Sequence, residues 1–386
     1  MTYLDWNATT PVDPRVIEAM CKVYSELPGN AGSRTHLHGE ACRSAVEDAR
    51  RKVAALAGVE PAEVVFTSGA TESDNIALLG AMDRATCSGK RHMVTTAIEH
   101  KAVLGPAKKL EESGCKVDYC PVGESGAVDV DRLLSLVRDD TVLVSVMQVN
   151  NETGVVQPVV EIGRRLREEH PDVLFHVDAA QGFGKIPGAD LGLYDLMSVS
   201  AHKMGGPQGV GALIVRRKGY RFPPLTPPYV GGGQEKGIRP GTVPVALVVG
   251  FGVASGICLE EWEKDRAHAE AIKGELLRAL SASDLRYSLN GDQGLCVPTT
   301  LNVSFDGVSS EALMISSRGD VSVSNGSACT SSSYSPSYVL IAMGLGEERA
   351  KSAIRLSWGR STCRREASEA FCSLLESVGR LQNGHR

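Results

Sequence analysis

The sequence of 386 residues lacks several features that would assign it to common classes of protein. Its ten cysteines are scattered without a Cys-x-x-Cys pair, which argues against a zinc ribbon or a disulfide framework. Lys and Arg number 41 against 46 Asp and Glu, so the net charge is −5 and no basic surplus predicts direct nucleic-acid binding. The first ten residues carry no signal peptide pattern. We therefore expect a cytoplasmic protein.

Membrane and metal sites are also poorly supported. The uncharged run at 240–259 contains two prolines and four glycines, so it predicts a buried helix rather than a membrane span. His36, His38 and Cys42 are close together, but their spacing fits no common zinc pattern, and local packing explains them better. We expect no metal and no membrane partner.

Helical and strand-like segments alternate along the first two-thirds of the chain. Residues 141–149 and 173–177 are apolar runs rich in β-branched side chains, typical of strands buried on both faces. This alternation predicts an α/β fold with a mostly parallel sheet and helices on both faces. The chain is longer than a domain with one hydrophobic core usually is, and past residue 259 the alternation of strands and helices gives way to a long charged helix. We predict a large domain at 13–259 and a smaller α+β domain formed by 1–12 and 260–386.

One predicted strand, at 63–66, runs into a glycine-containing turn that opens a helix. The turn reads Ser68-Gly69-Ala70-Thr71, and free amides together with the helix dipole make such a turn a candidate anion site. It lacks the spacing of a nucleotide P-loop. An ordinary N-capped helix explains the same residues equally well.

Three residues stand near strand ends, where ligand crevices open in α/β sheets. Asp178 ends an apolar strand, although a lone aspartate there is more often a helix cap. Lys203 lies between an apolar strand and a glycine pair, where burial would lower the pKa of its amine and make it nucleophilic. A snorkelling lysine is the alternative. His100 follows another strand, and by itself a structural role explains it better.

One cysteine differs from the other nine in its setting. Cys329 lies in the small, polar stretch 324–333, whereas buried structural cysteines usually lie in apolar runs. A reactive thiol needs such exposure, and its thiolate also needs a positive charge nearby. We interpret Cys329 as reactive rather than inert.

Together these residues resemble the cysteine desulfurases, members of the class-V aminotransferase family of fold-type I pyridoxal-phosphate enzymes. The resemblance runs from Tyr3 to about Leu381, and the segment around Cys329 resembles the long-loop branch. The other motifs that carry it are YLDWNATTP at 3–11, GN at 29–30, VNNETG at 149–154, GGGQE at 231–235, RPGT at 239–242 and RLS at 355–357.

The resemblance implies a reaction and a cofactor. L-cysteine would be converted to L-alanine, and its sulfur would be left on Cys329 as a persulfide for transfer to an acceptor protein. Lys203 would form the internal Schiff base with pyridoxal 5'-phosphate. Asp178 would pair with the ring nitrogen and Gln181 with the phenolic oxygen, while His100 would stack on the ring and shuttle protons.

The resemblance also implies the remaining contacts of a homodimeric enzyme. They are Ala70, Thr71, Ser200 and His202 to the phosphate, Thr242 to the phosphate of the second subunit, Asn151 to cofactor and substrate, and Asn30 and Arg355 to the substrate. A guanidinium such as that of Arg355 suits the substrate carboxylate, because it can form a two-pronged pair.

Some positions depart from the family pattern. Asn325 replaces a common serine, Val230 stands where a histidine often precedes the glycines, and Ala31-Gly32 replaces a usual Pro-Ser or Pro-Ala. The chain stops at Arg386, without the longer tail of many housekeeping members. This hints at a dedicated sulfur donor, for example in DNA phosphorothioation or thiolation, rather than in iron–sulfur assembly.

Three alternative functions remain open. A selenocysteine lyase or an aminotransferase would share the fold, although an aminotransferase has no use for Cys329. A non-catalytic sulfur-relay subunit could lose Lys203 or Cys329 without harm, and both are present.

Overall fold

A seven-stranded sheet forms the centre of the larger lobe in the computed structural model, which describes residues 1–86, 89–186, 193–325 and 336–384. The strands of the described residues are β1 (Thr2–Tyr3), β2 (Val64–Thr67), β3 (His92–Thr96), β4 (Lys116–Cys120), β5 (Thr141–Met147), β6 (Leu174–Asp178), β7 (Leu196–Ser200), β8 (Gly211–Val215), β9 (Tyr287–Leu289), β10 (Thr300–Phe305), β11 (Val321–Ser322) and β12 (Ala353–Ser357). The helices are α1 (Pro14–Glu26), α2 (Leu37–Ala57), α3 (Ala70–Thr86), α4 (Lys101–Glu112), α5 (Val130–Ser135), α6 (Val159–Glu169), α7 (Val245–Ser281), α8 (Ser310–Ser316), α9 (Tyr338–Ala342), α10 (Glu347–Lys351) and α11 (Arg364–Gly384).

The large sheet has the order β2-β8-β7-β6-β5-β3-β4. Strand β8 runs antiparallel to β2 and β7, and all other neighbours are parallel. The predicted mostly parallel sheet is thus confirmed, with one antiparallel strand. Its carboxyl edge collects the ends of β2, β3, β5, β6 and β7, which is where open α/β sheets bind ligands.

Both faces of the sheet are buried, which confirms the predicted three-layer arrangement. Along β2, Val64 and Phe66 join one apolar core with residues of α2, α6 and α7, whereas Val65 joins another with residues of α3 and α4. The alternation follows from the period of two along a strand, and it explains why these strands are apolar throughout.

A second lobe contains a three-stranded antiparallel sheet, β12-β10-β9, and the short parallel pair of β1 and β11. Its core includes Leu4, Phe305, Trp358 and Phe371, all almost completely buried. The N-terminal residues therefore join this lobe through β1, next to β11 and α11.

The 37-residue helix α7 connects the two lobes. Its first half packs on α1 and α2 in the larger core, and its second half packs with Ile272 and Leu276 in the smaller one. The predicted boundary at residue 259 falls inside this helix, so the division into domains stays a prediction. Among the described helices, α7 is long and apolar enough to cross a membrane, but half of its most apolar window is buried within the protein.

Candidate functional site

A cavity of about 400 Å³ opens at the carboxyl edge of the large sheet. The loops that follow β2, β3, β5, β6 and β7 supply most of its lining, and β12 of the second lobe supplies Arg355. The predicted site residues that line it are Ala70, Thr71, His100, Asn151, Asp178, Gln181, Ser200, His202, Lys203 and Arg355. Residues separated by up to 285 positions in the sequence are thus brought together.

Three predicted residues are not part of this lining. Asn30 is exposed and accepts a hydrogen bond from Gly32 N at 2.8 Å, and Thr242 is also exposed. Cys329 lies outside the described residues. The roles assigned to these three residues remain predictions.

The turn between β2 and α3 forms one end of the cavity. Gly69 has φ +153°, a backbone conformation that side chains disfavour, and it leads directly into the first turn of α3. Gly211 of β8 lies so close that a Cβ there would be 2.4 Å from Val199 O and 2.7 Å from Gly69 Cα. Because the first amides of a helix have no acceptor within it, this end of the cavity suits an anion.

Lys203 projects into the cavity from the short 3₁₀ turn that follows β7. Its Nζ donates to the carbonyl oxygens of Asn7 and Ala8 at 2.6 and 2.8 Å. Gln181 Nε2 donates to the same Asn7 oxygen at 2.9 Å. The N-terminal segment therefore holds both side chains through backbone carbonyls of the YLDWNATTP motif.

Asp178 ends β6 at the floor of the cavity, where Ala180 N donates to its Oδ1 at 2.9 Å. Burial and the nearby carboxyl of Asp74 raise the pKa of Asp178, while that backbone bond lowers it. Asp74 is fully buried on α3, and burial raises its pKa to about 7. Neither of its oxygens has a well-aligned hydrogen bond among the described residues.

Two histidines lining the cavity are held in defined orientations. His100 caps α4, and its Nδ1 accepts from Ala102 N at 3.1 Å, so the neutral ring carries its proton on Nε2. Burial lowers the pKa of His100. His202 Nδ1 lies 3.1 Å from Thr9 Oγ1, and burial followed by the charge of Lys203 lowers the pKa of His202 to about 4. His202 is therefore neutral at pH 7.

Arg355 reaches the cavity from β12 and pairs with two groups of this chain. It donates from Nη2 to Asp5 Oδ1 at 2.6 Å and from Nη1 to Asn151 O at 2.9 Å. Among the described residues, its buried Nε has no hydrogen-bond partner, and neither has the buried Oδ1 of Asn151. Buried polar atoms without a partner are uncommon, and these two belong to residues that line the cavity.

The donor set fits pyridoxal 5'-phosphate. One cavity is surrounded by a primary amine that suits an aldehyde, a carboxylate that suits a ring nitrogen and a helix N-terminus that suits a phosphate. Asp74, Asn151 and Arg355 add buried polar atoms without a well-aligned hydrogen bond among the described residues. By contrast, His36 and Cys42 serve local structure. His36 Nδ1 accepts from Gly39 N at 3.0 Å to cap α2, and Cys42 Sγ donates to Gly29 O at 3.1 Å.

Comparisons with known proteins agree over almost the whole chain. A family model described as aminotransferase class-V matches residues 2–369. A protein named cysteine desulfurase IscS, from Rickettsia africae (strain ESF-5), is 45% identical over 382 residues, which are 98% of this chain and 92% of the relative. A solved NifS-like protein has a TM-score of 0.90 at 38% identity and covers 98% of this chain and 100% of its own. A structure described as SspA in complex with cysteine has a TM-score of 0.80 at 36% identity, with coverage of 92% and 98%.

Proposed function

The chain belongs to the class-V aminotransferase family, and from this premise we propose that it is a pyridoxal-phosphate-dependent cysteine desulfurase that converts L-cysteine to L-alanine. The observation that carries the proposal is the convergence of Lys203, Asp178 and the N-terminus of α3 on one cavity. Similar proteins are named cysteine desulfurase, and one relative was solved with cysteine bound.

Each end of the cavity matches one part of the cofactor. The turn at 68–71, with Ser200 and His202, would hold the phosphate, and Asp178 would pair with the ring nitrogen. Lys203 would bond the aldehyde carbon, and Gln181 would donate to the phenolic oxygen. When bound, the cofactor supplies an electron sink for negative charge at the α carbon of the substrate.

Residues of this chain bind the substrate and handle its protons. Arg355 binds the substrate carboxylate and Asn151 lies beside it, since both line the cavity and each has a buried polar atom without a partner among the described residues. Lys203 Nζ takes and returns the proton of the α carbon. His100 Nε2 faces the same space as a proton donor, because its Nδ1 is engaged by the backbone of α4.

Cys329 receives the sulfur. Its thiolate forms a bond to the substrate sulfur while the carbon–sulfur bond breaks, and that electron pair stays with the carbon, which takes up a proton to give L-alanine. The sulfur remains as a persulfide on Cys329 and passes to an acceptor protein in the cytoplasm. The enzyme is a homodimer in which Thr242, exposed in the single chain, reaches the cofactor phosphate of the other subunit.

Absorption spectroscopy and product analysis test this function. Purified protein supplied with pyridoxal 5'-phosphate should show a visible band, and it should release alanine and, with a reductant, sulfide from L-cysteine. Lys203→Ala should abolish the band and both products. Protein that stays colourless with added cofactor would refute the proposal.

The assignment of the nucleophile has its own test. Cys329→Ser should keep the band but lose sulfide release, because only the sulfur acceptor is removed. Cys363→Ser, which changes an exposed cysteine on the second lobe, is the matched control and should keep full activity. Sulfide release by Cys329→Ser at the wild-type rate would place the nucleophile elsewhere.

A further inference from the structure

A second lysine lies behind the cavity without a carboxylate to balance it. Lys185 follows β6 by seven residues, in the turn that also carries Gln181. No described carboxylate forms an ion pair with Lys185. Burial and the charges of Lys203 and Arg355 lower the pKa of its amine to about 7. A lysine placed where its charge is disfavoured needs another reason for its position.

The hydrogen bonds of Lys185 supply that reason. Its Nζ donates to Gln181 Oε1 at 3.0 Å. A carboxamide can turn over and exchange its oxygen and nitrogen, but a protonated lysine amine can only donate. In its protonated form Lys185 therefore holds the oxygen of Gln181 on its own side. The carbonyl of Asn7, which can only accept, holds the nitrogen on the other side. One N–H of that nitrogen is donated to Asn7 O at 2.9 Å, and the second remains for the cavity that Gln181 lines.

The turn that carries both residues is tightly packed. A Cβ at Gly182 would lie 2.0 Å from Gln148 Oε1, and one at Gly184 would lie 3.1 Å from both Cys258 Sγ and Met204 Cε. Gly184 also has φ +76°. Side chains at these two positions would meet their neighbours closely, so the turn is tightly packed. Within it, the two hydrogen bonds of Gln181, from Lys185 and to Asn7 O, decide which way the amide faces.

We propose that Lys185 is a positioning residue that orients the Gln181 amide, so that its nitrogen and not its oxygen faces the bound cofactor. This inference rests on the proposed function, because the partner of the second N–H is the phenolic oxygen of pyridoxal 5'-phosphate. That oxygen accepts hydrogen bonds, and an inverted amide would place two acceptors against each other.

A double-mutant cycle on the full chain tests the proposal. Protein freed of cofactor with phenylhydrazine is titrated with pyridoxal 5'-phosphate, and both the affinity and the position of the visible maximum are measured. Lys185→Met should weaken affinity by about tenfold and shift the maximum in the same direction as Gln181→Ala. In the Gln181→Ala background, Lys185→Met should change affinity by less than about twofold, because no amide is left to orient.

Lys273→Met is the matched control. Lys273 is buried, whereas Lys185 is half-buried, and Lys273 Nζ donates to Val297 O at 3.2 Å, but Lys273 does not line the cavity. This variant should leave cofactor affinity and the visible maximum unchanged. An unchanged cofactor affinity in Lys185→Met would overturn the proposal. An equal loss of cofactor affinity with and without the Gln181 side chain would also overturn it, because the effect would then come from the charge of Lys185 alone. Failure of the wild-type protein to bind the cofactor would instead refute the proposed function.

Discussion

Glu99 offers a quantitative test of the electrostatics beneath the cavity. This fully buried carboxyl precedes His100, and its Oε1 accepts from Thr96 Oγ1 at 2.7 Å and from Met147 N at 3.0 Å. Its Oε2 has no partner among the described residues. Burial, aided by the charges of Asp178 and Asp74, raises the pKa of Glu99 from 4.5 to about 8, against the effect of the two hydrogen bonds.

The raised pKa makes the folded state lose stability as pH increases. The folded protein holds the proton of Glu99 more tightly than the unfolded chain does, so stability falls between pH 4.5 and about pH 8. Each pH unit in this range corresponds to about 1.36 kcal/mol, and the loss levels off above the folded pKa of about 8. Raising the pH from 6 to 9 therefore removes about 2.7 kcal/mol through this group alone.

Glu99→Gln removes the titration and keeps an acceptor for Thr96 and Met147. The amount by which its free energy of unfolding exceeds that of the wild type should grow by about 2.7 kcal/mol between pH 6 and pH 9. Urea unfolding followed by tryptophan fluorescence at several pH values measures the difference. Glu112→Gln, at the exposed C-terminal end of α4, is the control and should show no such divergence.

The difference between variant and wild type cancels the other titrating groups, so its pH dependence reports Glu99. A difference that stays constant within about 0.5 kcal/mol from pH 6 to pH 9 would refute the reasoning. It would mean that Glu99 is ionised in the folded protein at pH 6, despite its burial and its unpartnered oxygen.

Two further predictions concern the packing around the site. Gly211→Ala should lower the free energy of unfolding in urea by about 1–3 kcal/mol and weaken cofactor binding, because its Cβ meets Val199 O at 2.4 Å. Gly105→Ala, where the Cβ meets open space on α4, is the control and should do neither. Equal behaviour of the two variants would contradict the steric argument. Arg50→Met should cost about 3–5 kcal/mol, because it leaves the almost fully buried carboxylate of Glu235 without the 2.7 Å ion pair, and a loss below about 1 kcal/mol would count against it.

The large sheet was predictable because both of its faces are apolar. The strand expected at 141–149 is observed at Thr141–Met147, and the strand expected at 173–177 is observed at Leu174–Asp178. The change in sequence pattern at residue 259 does not mark the end of a helix or strand. Helix α7 continues through it, and the rise in charge marks the point where the helix leaves one core for the other.

The site was predictable where a side chain ends a strand and not where the backbone or a helix interior supplies the group. Asp178 and Lys203 follow from the strand-end rule. The carbonyls of Asn7 and Ala8 that hold Lys203 carry no side-chain signal. Asp74 occupies the middle of a helix, where an aspartate usually marks a solvated face, and only the packing of α3 against the sheet places it in the cavity.

Asn7 connects the second lobe to the reactive amine. Its backbone N–H donates to Ser357 Oγ at 2.9 Å and its Nδ2 donates to Thr300 Oγ1 at 3.0 Å, so two strands of the smaller sheet hold it. Its carbonyl oxygen accepts from Lys203 and Gln181 of the large lobe. Because one residue bonds to both lobes, a shift between them would move an acceptor of Lys203. The placement of the lobes is therefore part of the geometry of the site.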